Sequence, residues 1–217
     1  MEEVAELGVW EAAGRMADAL ERGALEGLQA LCDPGFWERA GATELGGVAA
    51  GAVTVTLLGT LPRRSLLDAQ RRGGARTVIE QQWTAAPGGP LVEDERLFTL
   101  ADRAEIEASG DPERIERMAT KLAAQDAARR YAAALAARDV DAACAMWAPA
   151  FAEAHGEELR RLVARVVDAE LIAAVGPRTL VRVWYAGSDE TVELLWRPAG
   201  PGWAIAGART FRRPGAG

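Results

Sequence analysis

The 217 residues are 49% apolar and 26% charged, a balance that excludes disorder, collagen and coiled coil as the main state and suits one large globular domain or two of about 100 residues. With 32 acidic against 25 basic residues the net charge is -7, so a phosphate backbone is repelled and nucleic acid is not an expected partner.

The chain opens on MEEVAELGVWEAAGR, acidic where a signal peptide is basic, and no apolar run approaches the roughly 20 residues of a membrane span. A cytoplasmic protein with no membrane partner is expected. Residues 16–36, MADALERGALEGLQALCDPGF, have a helical apolar pattern, and β-rich stretches are predicted at 53–61, 75–84 and 92–100, with a weaker fourth at 104–108. Turn signals such as Ala86-Pro87-Gly88-Gly89-Pro90 separate them. At Ser109-Gly110-Asp111-Pro112-Glu113 an Asp at N-cap, Pro at the first helical position and an acidic first turn predict a helix start, with the helix running to about residue 137.

That helix carries the start of YAAALAARDVDAACAMWAPAF, residues 131–151, which aligns without gaps on residues 16–36 at an offset of 115 (131 - 16). Leu20 meets Leu135, Ala30 meets Ala145, Pro34 meets Pro149 and Phe36 meets Phe151. A helix over 156–174 and strands at 179–186, 190–197 and 203–211 complete the prediction, and the tail from Arg212 is expected to fray. The sequence thus divides into two α+β domains, 1–110 and 111–217.

The inventory removes several chemistries. One histidine, His155, excludes a His-rich metal site, and Cys32 and Cys144 lack metal-ligand spacing, so no metal is expected and both are expected as buried free thiols. Three serines, none in GxSxG, argue against a serine hydrolase, and Gly46-Gly47-Val48-Ala49-Ala50-Gly51 matches no phosphate loop, so no cofactor is expected. A single Lys among 24 Arg, no Asn and abundant Ala suggest a GC-rich bacterial genome.

The order of elements, with YAAALAARDVDAACAMWAPAF and the terminal strand GWAIAGARTF, resembles the nuclear transport factor 2-like superfamily, which includes ketosteroid isomerase and SnoaL-like polyketide cyclases. VIEQQWTAAPGGPLVEDERLFTLADRAEIEA resembles that family's strand pair, with Asp102-Arg103-Ala104-Glu105-Ile106 where the family has an Asp-Gly-x-Ile turn. The resemblance implies two tandem cone-shaped domains, each with helices packed on a strongly bent antiparallel sheet around an apolar cavity. It also implies an intramolecular pseudo-dimer, with a further homodimer as the alternative.

In ketosteroid isomerase-like members a Tyr on the first helix donates to the developing oxyanion, and a carboxylate following the second helix moves the proton. The resemblance puts these roles on Tyr131 and His155, 24 residues apart (155 - 131). A His titrating near 6.5 suits proton transfer, and a Tyr hydroxyl suits an enolate. The alternatives are that Tyr131 plugs the cone and His155 is a solvated turn residue. The first half has Met16 and Ala40 at these places and is expected to be degenerate. There Glu80, Gln82 and Glu95 share a face only if the strand register allows it.

Trp184 shares a strand face with Leu180 and Ala186, and Trp196 with Val192 and Leu194; both are expected to wall a cavity that takes a flat ligand, or else to fill the core. Arg182, on the face of Trp184, is expected either to hold a substrate carboxylate or to pair with Glu193. The expected function is a cofactor-independent enzyme (isomerase, cyclase, dehydratase or epoxide hydrolase type) on a small apolar or aromatic metabolite of bacterial secondary metabolism such as polyketide biosynthesis. The alternatives are a non-catalytic small-molecule binder and a protein-interaction module.

Overall fold

The computed structural model describes residues 2–213, with side chains from residue 8 onward. The chain is α+β and divides into two compact units, Met1–Phe98 with Phe211–Gly217, and Thr99–Thr210.

In the first unit, helix α1 (Glu2–Arg22) ends at Gly23, whose φ of 67° is in the left-handed region that a glycine enters without strain. Short helices α2 (Leu25–Ala30) and α3 (Pro34–Phe36) follow, then a π-helical turn (Trp37–Gly41) and α4 (Ala42–Ala49). Asp33 caps α3 by accepting from the Phe36 N–H at 3.1 Å, with Pro34 at the first helical position. The sheet runs β1 (Ala52–Leu61), β2 (Arg64–Arg71), β3 (Arg76–Thr84) and β4 (Leu91–Phe98) in spatial order, all antiparallel. One face of α1, with Met16 and Leu20 fully buried, packs on Leu67, Ile79 and Trp83 of the sheet. Val92 closes the unit against the loop after α2, donating to the Leu31 carbonyl at 2.9 Å and accepting from Asp33 N–H at 2.8 Å.

A bulge between Leu57 and Gly59 bends β1. At Gly59 a Cβ would stand 2.8 Å from the backbone of Phe211 and Arg212, so only glycine fits. Arg212, expected in a frayed tail, exchanges backbone hydrogen bonds with Thr60. Residues 214–217 lie outside the described residues.

In the second unit, α5 (Arg103–Ala108) precedes α6 (Pro112–Ala136), α7 (Val140–Cys144) and α8 (Pro149–Val163), and the antiparallel sheet is β5 (Asp168–Val175), β6 (Arg178–Tyr185), β7 (Ser188–Ala199) and β8 (Gly202–Phe211). The α6 start is as expected, with Asp111 accepting from the Glu113 and Arg114 N–H groups. Arg138 ends that helix region at φ 56°. Ile205 holds the loop after α7, donating to the Met146 carbonyl at 2.7 Å and accepting from Ala148 N–H at 2.8 Å.

Three elements differ from expectation. The fourth strand predicted at 104–108 is α5, because Asp102 accepts from both Ala104 and Glu105 N–H and caps a helix. The helix predicted over 156–174 ends at Val163, and Asp168–Val175 is β5, an Ala-rich segment made extended by its ladder with β6. Strand β2, RSLLDAQR, was absent from the prediction because its charged residues obscure the alternation, yet it pairs on both sides. Both cysteines are buried and free, as expected. None of the described helices is long and apolar enough to cross a membrane.

Candidate functional site

The second unit encloses a cavity of about 70 Å³ between α6, α8 and the inner face of its sheet. Leu135, Phe151, Leu159, Val183 and Leu194 make the wall mainly apolar. Polar groups enter it from only a few side chains: Tyr131 on α6, Tyr185 at the end of β6, Glu190 on β7 and Thr210 on β8.

Alternation along the strands explains this set. Val181, Val183 and Tyr185 line the cavity from β6, and Glu190, Val192 and Leu194 from β7. Tyr131 accepts a long hydrogen bond, 3.4 Å, from the Trp147 indole N–H, and meets Trp196 edge-on with ring centroids 6.2 Å apart. Since that bond uses the oxygen's acceptor capacity, the phenol's own proton is left to donate. Burial pushes the Tyr131 phenol up to about 12; the Trp147 hydrogen bond opposes this, while Cys144 and Tyr185 add to it. The phenol therefore stays protonated throughout the physiological range.

His155 is not brought to this cavity. It is exposed on α8, where its ring lies 5.1 Å from Phe151, and it is Phe151 that turns inward to the cavity wall. On the fifteen-residue α8, His155 lies four residues from both Phe151 and Leu159, along the helix side they occupy, yet it is exposed and does not line the cavity.

The four other residues expected to bind a ligand do not line this cavity: alternation turns Arg182, Trp184 and Glu193 to the other sheet face, and Trp196 is packed in the core. Trp184 and Arg182 belong to the sheet face opposite the cavity, with the Arg182 guanidinium 5.2 Å from the Trp184 ring. Arg182 pairs with Asp189 at 2.7 Å instead of Glu193. Glu193 also lies on that opposite face, 3% exposed, and is held by Arg178 and Arg209, each at 2.8 Å. Trp196 is core, 1% exposed, with its indole N–H donating to Thr179 Oγ1 at 2.8 Å, so it offers no open ring for stacking. Of the expected residues only Tyr131 faces the cavity.

Tyr185, Glu190 and Thr210 were not anticipated. A signal existed: Glu190 is two positions before Val192 on the face already assigned inward, and Tyr185 is two after Val183.

In the first unit, Glu80 faces Arg96 and Gln81 faces Glu95 across the β3–β4 ladder. Glu80 and Gln82 therefore share one face, and Glu95 lies on the other. Glu80 is 3% exposed and is held by Arg64 at 2.5 Å and Arg96 at 3.0 Å. Comparison with family models, curated proteins and solved structures finds no match to this chain.

Proposed function

We propose that the chain is a tandem of two cone-shaped nuclear transport factor 2-like domains, and that the second acts on a small, mainly apolar metabolite in its cavity by cofactor-independent proton transfer. Several features that recur at near-constant spacing support the tandem. Gly23 and Arg138, both with left-handed φ, are 115 apart (138 - 23), as are Cys32 and Trp147, each of which forms the parallel bridge that ties its loop to the last strand of its sheet. The π-helical turn at Trp37–Gly41 holds one extra residue, and the offset is 114 from there to the bulge residues Leu58 and Ile172 (172 - 58). Each sheet also has a Trp whose indole N–H donates to a β-strand hydroxyl: Trp83 to Ser65 at 2.9 Å, and Trp196 to Thr179 at 2.8 Å.

The observation that carries the functional reading is a protonated Tyr131 hydroxyl in the wall of an apolar cavity that also admits one carboxylate, Glu190. In this reading Tyr131 donates a hydrogen bond to a carbonyl oxygen of the ligand, and Glu190 takes a proton from the adjacent carbon to leave an enolate and returns it to carbon, so no net oxidation or reduction occurs. A cavity of about 70 Å³ is smaller than the 150 Å³ that accommodates benzene, so the ligand has few heavy atoms and is not polycyclic.

Deuterium incorporation into 2-butanone in D2O, followed by NMR, tests this without knowledge of the natural substrate. The wild-type protein is expected to accelerate exchange of the protons next to the carbonyl, Glu190→Gln to abolish the acceleration, Tyr131→Phe to lower it by about 10²-fold, and His155→Ala to leave it unchanged. No acceleration by the wild type, or full activity in Glu190→Gln, contradicts the reading.

A further inference from the structure

The first unit, expected to be degenerate, has a cleft of its own, of about 460 Å³, between α1, the β1–β2 turn and the β3–β4 loop. That volume is in the range of about 300–1,000 Å³ that holds metabolite-sized ligands. Among the described residues its apolar wall is Val9 from α1, Trp83 at the end of β3, and Ala85, Ala86 and Pro90 from the β3–β4 loop. Thr84 adds a hydroxyl, and the one charged residue in the described wall is Arg63.

Arg63 has an unusual backbone. Leu61 and Arg64 pair across the β1–β2 ladder, so Pro62 and Arg63 form a two-residue turn. The proline ring locks φ near about -65°. The turn's positive φ, 59°, therefore falls on Arg63, at the second central place, where glycine is the ordinary residue. The matching turn of the second unit, between Val175 and Arg178, is Gly176-Pro177 and gives its positive φ, 52°, to the glycine. Both turns are anchored alike: the Trp83 N–H donates to the Arg63 carbonyl and the Trp196 N–H to the Pro177 carbonyl, each at 2.9 Å. The first unit thus keeps a strained arginine in a turn that its counterpart makes with an unstrained glycine, and strain of this kind gathers at ligand clamps. The side chain is fixed as well. Arg63 Nε donates to the Trp83 carbonyl at 3.1 Å, which holds the guanidinium at the wall. Glu93 Oε1 stands 3.7 Å from Arg63 Nη2, beyond hydrogen-bond distance, and accepts from Gln82 Nε2 at 2.8 Å. The outer N–H groups of the guanidinium therefore meet no hydrogen-bond acceptor among the described residues, and their fork matches a carboxylate.

We infer that this cleft binds a small monocarboxylate with an apolar body, its carboxylate on the Arg63 guanidinium and its body against the β3–β4 loop. The inference stands apart from the proposed chemistry of the second unit, whose cavity has no arginine among its described wall residues. Isothermal titration calorimetry with sodium octanoate, and with 1-octanol as its uncharged counterpart, tests it. The wild-type protein is expected to bind octanoate at least about tenfold more tightly than octanol. Arg63→Gly suits a φ of 59° and is expected to keep the fold by circular dichroism, to bind octanoate about tenfold to a hundredfold more weakly, and to bind octanol as before. Ala86→Trp fills the cleft from the loop with Arg63 in place; it is expected to weaken both ligands and carries the test if Arg63→Gly fails to fold. No octanoate binding by the wild type, equal affinity for octanoate and octanol, or unchanged octanoate affinity in either folded variant would overturn the inference.

Discussion

At the scale of single residues, Tyr131 combines a core position with a proton it does not give up. Because its phenol titrates at about 12 when folded and at 10 when exposed, the folded chain holds a proton between these values that the unfolded chain has lost. Stability therefore falls as pH rises from 10 to 12, by about 3 kcal/mol at 1.36 kcal/mol per pK unit. Tyr131→Phe is expected to lack this loss, which urea unfolding at pH 9.5 and 11.5 will show as a smaller difference between the two pH values. At neutral pH the same variant is expected to cost about 1 kcal/mol, since the Trp147 indole N–H loses its acceptor. Tyr131 is reached in the sequence only through the resemblance to ketosteroid isomerase-like members. Its partners were harder to read, because the strand faces were inferred from the position of tryptophans. Trp184 is the expected inward residue on β6, yet it is Tyr185 that lines the cavity.

At the scale of elements, legibility followed local chemistry. The start of α6 was readable because Asp111, Pro112 and Glu113 satisfy a helix terminus by themselves, and Asp111→Ala is expected to cost about 1 kcal/mol by chemical denaturation. Strands β2 and β5 were missed because neither RSLLDAQR nor DAELIAAV favours a strand on its own, and each is made one by its neighbours in the sheet. The Gly59 position belongs to the same class. Nothing local to Val-Thr-Leu-Leu-Gly-Thr announces that the backbone of Phe211 and Arg212 will approach it to 2.8 Å from a Cβ. Gly59→Ala is expected to cost about 1–3 kcal/mol by overpacking, while Gly47→Ala, where a Cβ would meet no atom within 4 Å, is expected to be neutral or slightly stabilising in the same assay.

At the scale of the whole molecule, two α+β units each bury an acid on one sheet face under two arginines. Glu80 lies between Arg64 and Arg96, and Glu193 between Arg178 and Arg209. Removing the acid strands two cations, but the arginine side chains are 24–41% exposed and can turn to water, so Glu80→Gln and Glu193→Gln are each expected to cost about 1–3 kcal/mol. Similar losses for the two variants are what a tandem of like domains predicts. The units differ inside: Met16, at the place of Tyr131, is fully buried in the first core, and the second keeps a cavity beside Tyr131. The proposed function requires that this cavity take the ligand. Saturation-transfer NMR with 2-butanone on the wild-type protein and on Val183→Phe, which fills the cavity from β6, examines that binding. Transfer in the wild type and its loss in Val183→Phe, with the fold retained by circular dichroism, is the predicted result. Equal transfer in both proteins, or none in the wild type, would contradict it.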